Sequence, residues 1–417
     1  HPALVRWVYS RAIAPNALFQ IANCMHWCDG ALLQAGRSFH CWRLHPANIV
    51  FIILLAGSCV TTRNLSITEP FIPLRSQAES VAESASLARE SSTAACDPRI
   101  PAFFVRQDGW DFHWKPEVAP YWRRVHELLG AHPCRSRDEA GAALVFAGTL
   151  AGSLRALPTL PPRPPGSAYV LLAHGLQLDH CGARPDGLCQ SARAALQGRG
   201  DVLYVNLDLR DHALLWDAAP ALPGVTFAAP HFFEGERPEP GALGAWRWLL
   251  TYRGIRRSGW FGSSSARLQL DGAFRAYSDP RVVMELLPVG HRISQGDVDR
   301  YKELLQGSAF ALIPRGDGRW SYRLSEAIGA CAIPVVMANG LTLPYEEIID
   351  WSRAAIRLDE RLAAYPEMLL AQLPQDPRII QRMRQEVCSI NSRYFESMPA
   401  RVEGMLLSLA AYVAPLR

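Results

Sequence analysis

Residues 308–351 constrain the fold of this chain more than any other segment. An apolar run, Phe310–Ile313, is stopped by Pro314, and an arginine-rich turn follows. A second pattern starts at Leu324 and places apolar residues at i, i+3, i+4 and i+7, which is typical of one face of a helix. Another apolar run, Ile333–Met337, comes next. The segment therefore predicts a βαβ unit of a parallel sheet, and such sheets bind ligands where the strands end.

The polar residues of this turn are suited to a nucleotide diphosphate. A helix N-terminus presents unpaired N–H groups to phosphate, and Arg315, Arg319 and Arg323 can add charge-assisted hydrogen bonds of about 1.5–3 kcal/mol each. Ser321 can cap the helix or donate to a phosphate oxygen, and Glu326 can accept from ribose hydroxyls. The alternative is a solvated basic turn in which Arg323 and Glu326 form a surface pair. The segment has neither a GKS/T phosphate loop nor a GxGxxG fingerprint to decide between these interpretations.

Ordered motifs in this segment resemble the exostosin family of glycosyltransferases, family GT47. The FxLxPRG, RxxEA and IPV elements of the family correspond to Phe310–Gly316, Arg323–Ile328 and Ile333–Val335. Its LPFxE element, which ends in tryptophan, corresponds to Leu343–Trp351. Upstream, Trp248–Gly254 resembles the strand and FKG element that opens the donor-binding half of the family. The resemblance implies an α/β fold of GT-B architecture, in which two Rossmann-like domains face a cleft.

The same resemblance implies the reaction: an inverting transfer of a sugar from a UDP-sugar to a glycan or glycoprotein acceptor. In this interpretation Arg315 and Arg323 hold the diphosphate and Glu326 holds the ribose. We expect no permanently bound cofactor and no metal, because the arginines can stabilise the leaving UDP. The full predicted donor-binding set is Arg253, Gly254, Arg256, Arg315, Gly316, Ser321, Arg323 and Glu326.

The hydropathy pattern predicts a membrane anchor that precedes these domains in the chain. Residues 44–62 contain a sustained apolar run near the lower length limit for a spanning helix, and preceding arginines suggest a cytosolic amino side. The alternatives are a cleaved signal peptide or a buried core helix. Family members are typically type II Golgi membrane proteins, which implies a luminal catalytic part. The predicted order is a cytosolic tail (1–43), a signal-anchor helix (44–62), a stem (63–98), an acceptor-side domain (99–236) and a UDP-sugar domain (245–412).

An inverting transfer also needs a general base that takes the proton of the acceptor hydroxyl. The candidates His174, Asp179 and His180 follow a predicted strand, Tyr169–Ala173. A second set follows the predicted strand at 201–207 and comprises Asp208, Asp211 and His212. Such residues more often cap a loop, so both sets are hypotheses.

The acceptor half departs from the family pattern. Gly166–Tyr169 stands where exostosins carry a GRNH-like segment. This departure motivates an alternative function, a catalytically silent subunit that binds and stabilises a partner glycosyltransferase.

Six of the ten cysteines lie beyond residue 95, and an oxidising lumen would allow them to pair. Cys181 and Cys189 bracket a Gly/Pro loop and are the predicted local disulfide, whereas Cys331 is predicted to be a free core residue. Asn64 begins a glycosylation sequon on the side that would be luminal.

The sequence motifs and the charge distribution do not favour a metal or a nucleic acid as ligand. Asp297-Val298-Asp299 matches the DxD tripeptide that binds manganese in the other major glycosyltransferase architecture, but acids at a helix N-terminus are the favoured interpretation. No cysteine or histidine cluster has zinc spacing. The net charge of +4 is scattered, which does not favour a nucleic-acid partner.

Overall fold

The computed structural model describes residues 95–110, 119–149, 159–172, 199–206, 224–228, 246–256, 266–316 and 321–413. Within these ranges the chain forms two five-stranded sheets in which neighbouring strands run parallel. The predicted α/β class is therefore confirmed. The predicted tail, anchor helix and most of the stem lie outside the described residues, and among those described no helix has the length and apolar character to cross a membrane.

The first sheet has the strand order β1-β2-β3-β4-β5. Strands β2 to β5 are buried, as expected for parallel strands rich in Val, Leu and Tyr. One helix, α1 (Ala119–Ala131), packs against β1. Before β2, residues 137–143 form a turn in which the Asp138 carboxylate accepts from the N–H groups of Ala140 and Gly141. The strands are β1 (Phe103–Val105), β2 (Leu144–Thr149), β3 (Ala168–Leu172), β4 (Val202–Asn206) and β5 (Gly224–Thr226).

The second sheet has the order β10-β9-β8-β6-β7. Its strands are β6 (Trp248–Ile255), β7 (Val282–Leu287), β8 (Ser308–Pro314), β9 (Ile333–Met337) and β10 (Ile356–Arg357). Three helices follow β6, β7 and β8 in turn: α2 (Ala266–Arg275), α3 (Gln295–Gln306) and α4 (Arg323–Gly329). After β6 the chain moves to one side for β7 and then returns to the other side for β8. The strand order therefore reverses between β6 and β8, which is a topological switch point.

Strands β6 and β8 are paired only near their amino ends. Their register stops at Thr251 opposite Ala311. On either side the ladders continue further, to Ile255 opposite Leu287 and to Pro314 opposite Met337. The carboxyl ends of β6 and β8 thus separate, and the residues that follow them border the resulting crevice.

The carboxyl-terminal helices are α5 (Pro366–Ala371), α6 (Pro377–Ile390) and α7 (Met398–Val413), with a π-helical turn (Asn391–Phe395) before α7. Helix α7 returns to the first sheet. The Tyr412 hydroxyl donates to the carbonyl of Gly224 in β5 at 2.8 Å. Glu403 lies 3.0 Å from Nε2 of His132, just after α1. This helix therefore completes the packing of the first sheet, although its sequence falls in the predicted second domain.

Tyr345 joins the two sheets. Its hydroxyl accepts from the N–H of Ala228 at 3.3 Å and donates to the carbonyl of Arg401 at 3.0 Å. Its own N–H donates to the carbonyl of Thr226 at 3.3 Å. Phenylalanine, which stands here in the LPFxE pattern that this segment resembles, could make neither of the two hydroxyl contacts.

Cys331 is bonded to Cys388, so the prediction of a free Cys331 is wrong. Helix α4 ends at Gly329, and Cys331 lies beyond it with a φ of 56°, in the left-handed region. The sequence pattern extended the helix two residues too far and so placed this side chain among the core contacts of α4. A second disulfide joins Cys96 to Cys134 at the edge of the first sheet. The predicted Cys181–Cys189 pair lies outside the described residues.

Candidate functional site

The crevice between β6 and β8 brings the predicted donor-side residues to one edge of the second sheet. The end of β6 supplies Arg253 and Gly254, and Arg256 follows directly. Arg315 and Gly316 follow β8, while Arg323 and Glu326 lie on α4. Segments distant in sequence therefore meet at the switch point, where parallel sheets hold their ligands.

Arg323 bridges α4 to β6. Its Nε donates to the carbonyl of Arg253 at 3.1 Å, and its guanidinium carbon lies 5.5 Å from the centre of the Tyr252 ring. Ser321 Oγ is 3.5 Å from Arg323 Nη1. Of the two predicted roles of Ser321, capping the helix is wrong, since the cap residue of this seven-residue helix is Tyr322 and makes no side-chain cap bond. Donation by Ser321 to a phosphate oxygen stays a prediction.

Glu326 is buried, with 6% of its surface exposed. The Tyr301 hydroxyl on α3 donates to its carboxylate at 2.6 Å. Burial and the adjacent Glu326 charge raise the pKa of Tyr301 well above its ordinary value, so this phenol stays protonated as a donor. The alternative of a solvent-exposed Arg323–Glu326 pair is therefore wrong.

Arg253 is held by two carboxylates. Its guanidinium contacts Glu285, its register partner on β7, and Asp297 at the start of α3. Asp297 and Ser294 form a capping box, and His291 Nε2 lies 3.1 Å from Asp297. Hydrogen bonds from Ser294, then from His291, lower the pKa of Asp297. The interpretation of the DxD tripeptide as helix N-terminal acids is thus confirmed.

Further carboxylates accompany the remaining arginines of the crevice. Arg256 pairs with Asp271 on α2, and Arg315 Nη1 lies 3.6 Å from Glu360. The carbonyl of Arg315 accepts from Nε of buried Arg267 at 3.1 Å. Sequence reasoning missed these carboxylates and Tyr301, because each partner is remote along the chain from its arginine or glutamate.

Gly254 leaves room for its neighbours. A Cβ at this position would lie 2.9 Å from Nη2 of Arg323 and closer still to the Tyr252 hydroxyl. Any side chain here would displace both groups from the crevice. The positions of Tyr252 and Arg323 therefore require glycine at 254, while the predicted donor-binding role of Gly254 stays a prediction.

Other predicted sites fall outside the described residues: His174, Asp179, His180, the second set of base candidates, and Asn64. They remain predictions. Over the ranges that the structure describes, no group of three or more His, Cys, Asp or Glu side chains is arranged to hold a metal ion.

Comparison with known proteins finds a family match that covers much of the second sheet. Residues 266–373 match the family model described as the Exostosin GT47 domain. Exostosin-1a of Danio rerio is 42% identical over 98 residues, which is 24% of this chain and 13% of that protein. Exostosin-1 of Drosophila melanogaster is also 42% identical over 98 residues, with the same coverage. The match thus spans about an eighth of the length of these relatives.

Solved structures resemble the chain only loosely. AviGT4, a glycosyltransferase involved in avilamycin A biosynthesis, aligns with 75% of this chain and 98% of its own, at 14% identity and a TM-score of 0.31. The spinosyn forosaminyltransferase SpnP aligns with 65% of this chain and 76% of its own, at 14% identity and a TM-score of 0.28. Likenesses this distant do not bear on the function.

Proposed function

We propose that the chain transfers a sugar from a UDP-sugar to a glycan or glycoprotein acceptor with inversion, because residues 266–373 match the Exostosin GT47 domain model. The observation that carries this proposal is the crevice at the switch point, where β6 and β8 part and Arg253, Arg315 and Arg323 converge. We include in the proposal the GT-B architecture, in which the first sheet presents the acceptor and the second sheet binds the donor.

Different crevice residues bind the diphosphate and the ribose of the donor. Arg315 and Arg323 bind the diphosphate and stabilise the charge that develops on the leaving UDP. Glu326, fixed by the Tyr301 hydroxyl, accepts from the ribose hydroxyls. The acceptor hydroxyl loses its proton to a base of the first half, for which His174, Asp179 and His180 are the candidates.

A luminal location in the Golgi forms part of the proposal. Two disulfides, Cys96–Cys134 and Cys331–Cys388, require an oxidising compartment to persist. This supports, together with the apolar run at 44–62 and the Asn64 sequon, a type II membrane protein with its catalytic part in the lumen.

One observation favours the alternative of a catalytically silent subunit. Arg253, Arg256 and Arg315 each already have a carboxylate partner. Such pairing lowers the net positive charge available to a diphosphate, and a bound phosphate must compete with these carboxylates. A chain that keeps the fold but only stabilises a partner transferase would tolerate this arrangement.

Release of UDP from a panel of UDP-sugars tests the proposal. The panel carries glucuronic acid, galactose, xylose and arabinose, each with a mixture of glycan acceptors. Acceptor-dependent UDP release with one sugar, lost in the Arg323→Ala variant, is the expected result. Turnover that is absent even with a co-expressed partner transferase would refute the enzymatic function and leave the silent subunit as the better account.

A further inference from the structure

The aromatic residue of the FKG-like element carries a hydroxyl that the family element lacks. Tyr252-Arg253-Gly254 stands where the family has Phe-Lys-Gly. Tyr252 is 2% exposed, and its hydroxyl has no hydrogen-bond partner within the described part of the chain. A buried hydroxyl without a partner destabilises the folded chain, so such a group in a native protein points to a missing partner.

The Tyr252 ring packs in the apolar core, and its hydroxyl lies beside Gly254 and Arg323 at the crevice end of β6. It would be the nearest atom to a Cβ placed on Gly254, and Nη2 of Arg323 would lie 2.9 Å from the same Cβ. The Arg323 guanidinium also lies over the Tyr252 ring. The hydroxyl and Nη2 of Arg323 therefore occupy the space that a side chain at position 254 would need, so the two groups lie close together at the end of β6.

We propose that the Tyr252 hydroxyl donates a hydrogen bond to a phosphate oxygen of the donor nucleotide, next to Arg323. The chemistry favours phosphate over ribose or base, because the neighbouring guanidinium attracts an anionic oxygen and the phenol hydroxyl can donate to that oxygen. This inference rests on the proposed function, since it assigns one contact within that nucleotide site. It makes Tyr252 a binding residue that the family pattern does not supply.

The test is calorimetry of Tyr252→Phe with UDP and with uridine. Phenylalanine is the residue of the family element, so the variant is expected to fold. Loss of a hydrogen bond to a charged group should weaken UDP binding about tenfold. Uridine binding should be unchanged, and the Tm without ligand should be equal to or above that of the wild type, because no protein hydrogen bond is lost.

Tyr345→Phe is the matched control. It removes the same atom from a tyrosine whose hydroxyl has two protein partners, Ala228 and Arg401, at the join between the sheets. We expect its Tm to fall by a few degrees and its UDP affinity to stay the same. The two variants should therefore show opposite patterns in stability and binding.

The outcomes separate this inference from the proposed function. A wild-type chain that does not bind UDP would refute both. Wild-type binding with equal UDP affinity in Tyr252→Phe would refute only the phosphate contact. An equal loss for uridine would also refute it, since the hydroxyl would then contact the nucleoside.

Discussion

The Cys331–Cys388 disulfide should be a major source of stability in the second sheet. Its cysteines are 57 positions apart, and closing a loop of that length in the unfolded chain corresponds to about 4 kcal/mol at 25 °C. Cys388→Ser should lower the unfolding free energy by about that amount and the Tm by roughly 5–10 °C. Serine is suitable because this position is only half-buried, whereas Cys331 is fully buried and should be replaced by alanine.

The double variant provides the sharper measurement. Cys331→Ala and Cys388→Ser break the same bond, so the pair together should cost little more than either alone, in contrast to independent sites. Urea unfolding of the three variants, compared under oxidising conditions, gives the coupling directly. Additive losses, or a loss below about 1 kcal/mol for Cys388→Ser, would refute the assignment of the loop constraint to this bond.

The same bond should affect nucleotide binding. Cys331 follows α4 by two residues, and α4 carries Arg323 and Glu326. Releasing Cys331 from α6 frees the carboxyl end of this short helix, so UDP affinity should fall together with stability. Cys96→Ser is the matched control, because it breaks a disulfide at the edge of the first sheet; it should lower stability and leave UDP affinity unchanged.

Three further predictions concern side chains of the crevice and of the join between the sheets. Glu326→Ala should abolish UDP binding in calorimetry. It should also lower the unfolding free energy by about 1.5–3 kcal/mol, because Tyr301 loses a charged acceptor. A loss of binding with no loss of stability would contradict the stabilising role of the Tyr301–Glu326 hydrogen bond. Arg323→Ala should weaken UDP binding at least tenfold, and Arg323→Lys should restore little of it, since lysine cannot reproduce a planar fork; full rescue by lysine would show that charge alone suffices. Burial raises the pKa of Glu347 above its ordinary 4.5, so the folded chain holds this proton more tightly than the unfolded chain, and the associated stability is lost as pH rises through the raised pKa. Glu347→Gln should therefore gain stability relative to wild type as the pH rises above the ordinary 4.5 in thermal unfolding, and a difference independent of pH would refute this account.

Local patterns in the sequence predicted much of the second sheet. The apolar runs at 310–313 and 333–337 appear as β8 and β9, because buried parallel strands are continuous apolar segments. The turn after β8 was identified from its arginines. These features depend on neighbours within a few residues, and such information is present in a single sequence.

Long-range partners could not be predicted in the same way. Nothing near Arg253 in the sequence indicates that Glu285 and Asp297 will flank it. The alternative of a surface Arg323–Glu326 pair depended on neighbours within one helix, whereas α3 supplies Tyr301 from 25 positions away. Likewise, the Cys331–Cys388 bond joins residues 57 positions apart and depends on α4 ending before Cys331, which the periodic pattern does not indicate.

The return of α7 to the first sheet has a consequence for the order of folding during synthesis. Glu403 lies 271 positions after its contact His132, and Tyr412 lies 188 positions after Gly224. Strands β1 to β5 therefore leave the ribosome long before the helix that covers them is translated. At about 5–20 residues per second, that interval lasts on the order of ten seconds or more. During this time one apolar face of the first sheet stays exposed on the nascent chain. We therefore expect chaperones to bind the nascent chain until α7 leaves the ribosome.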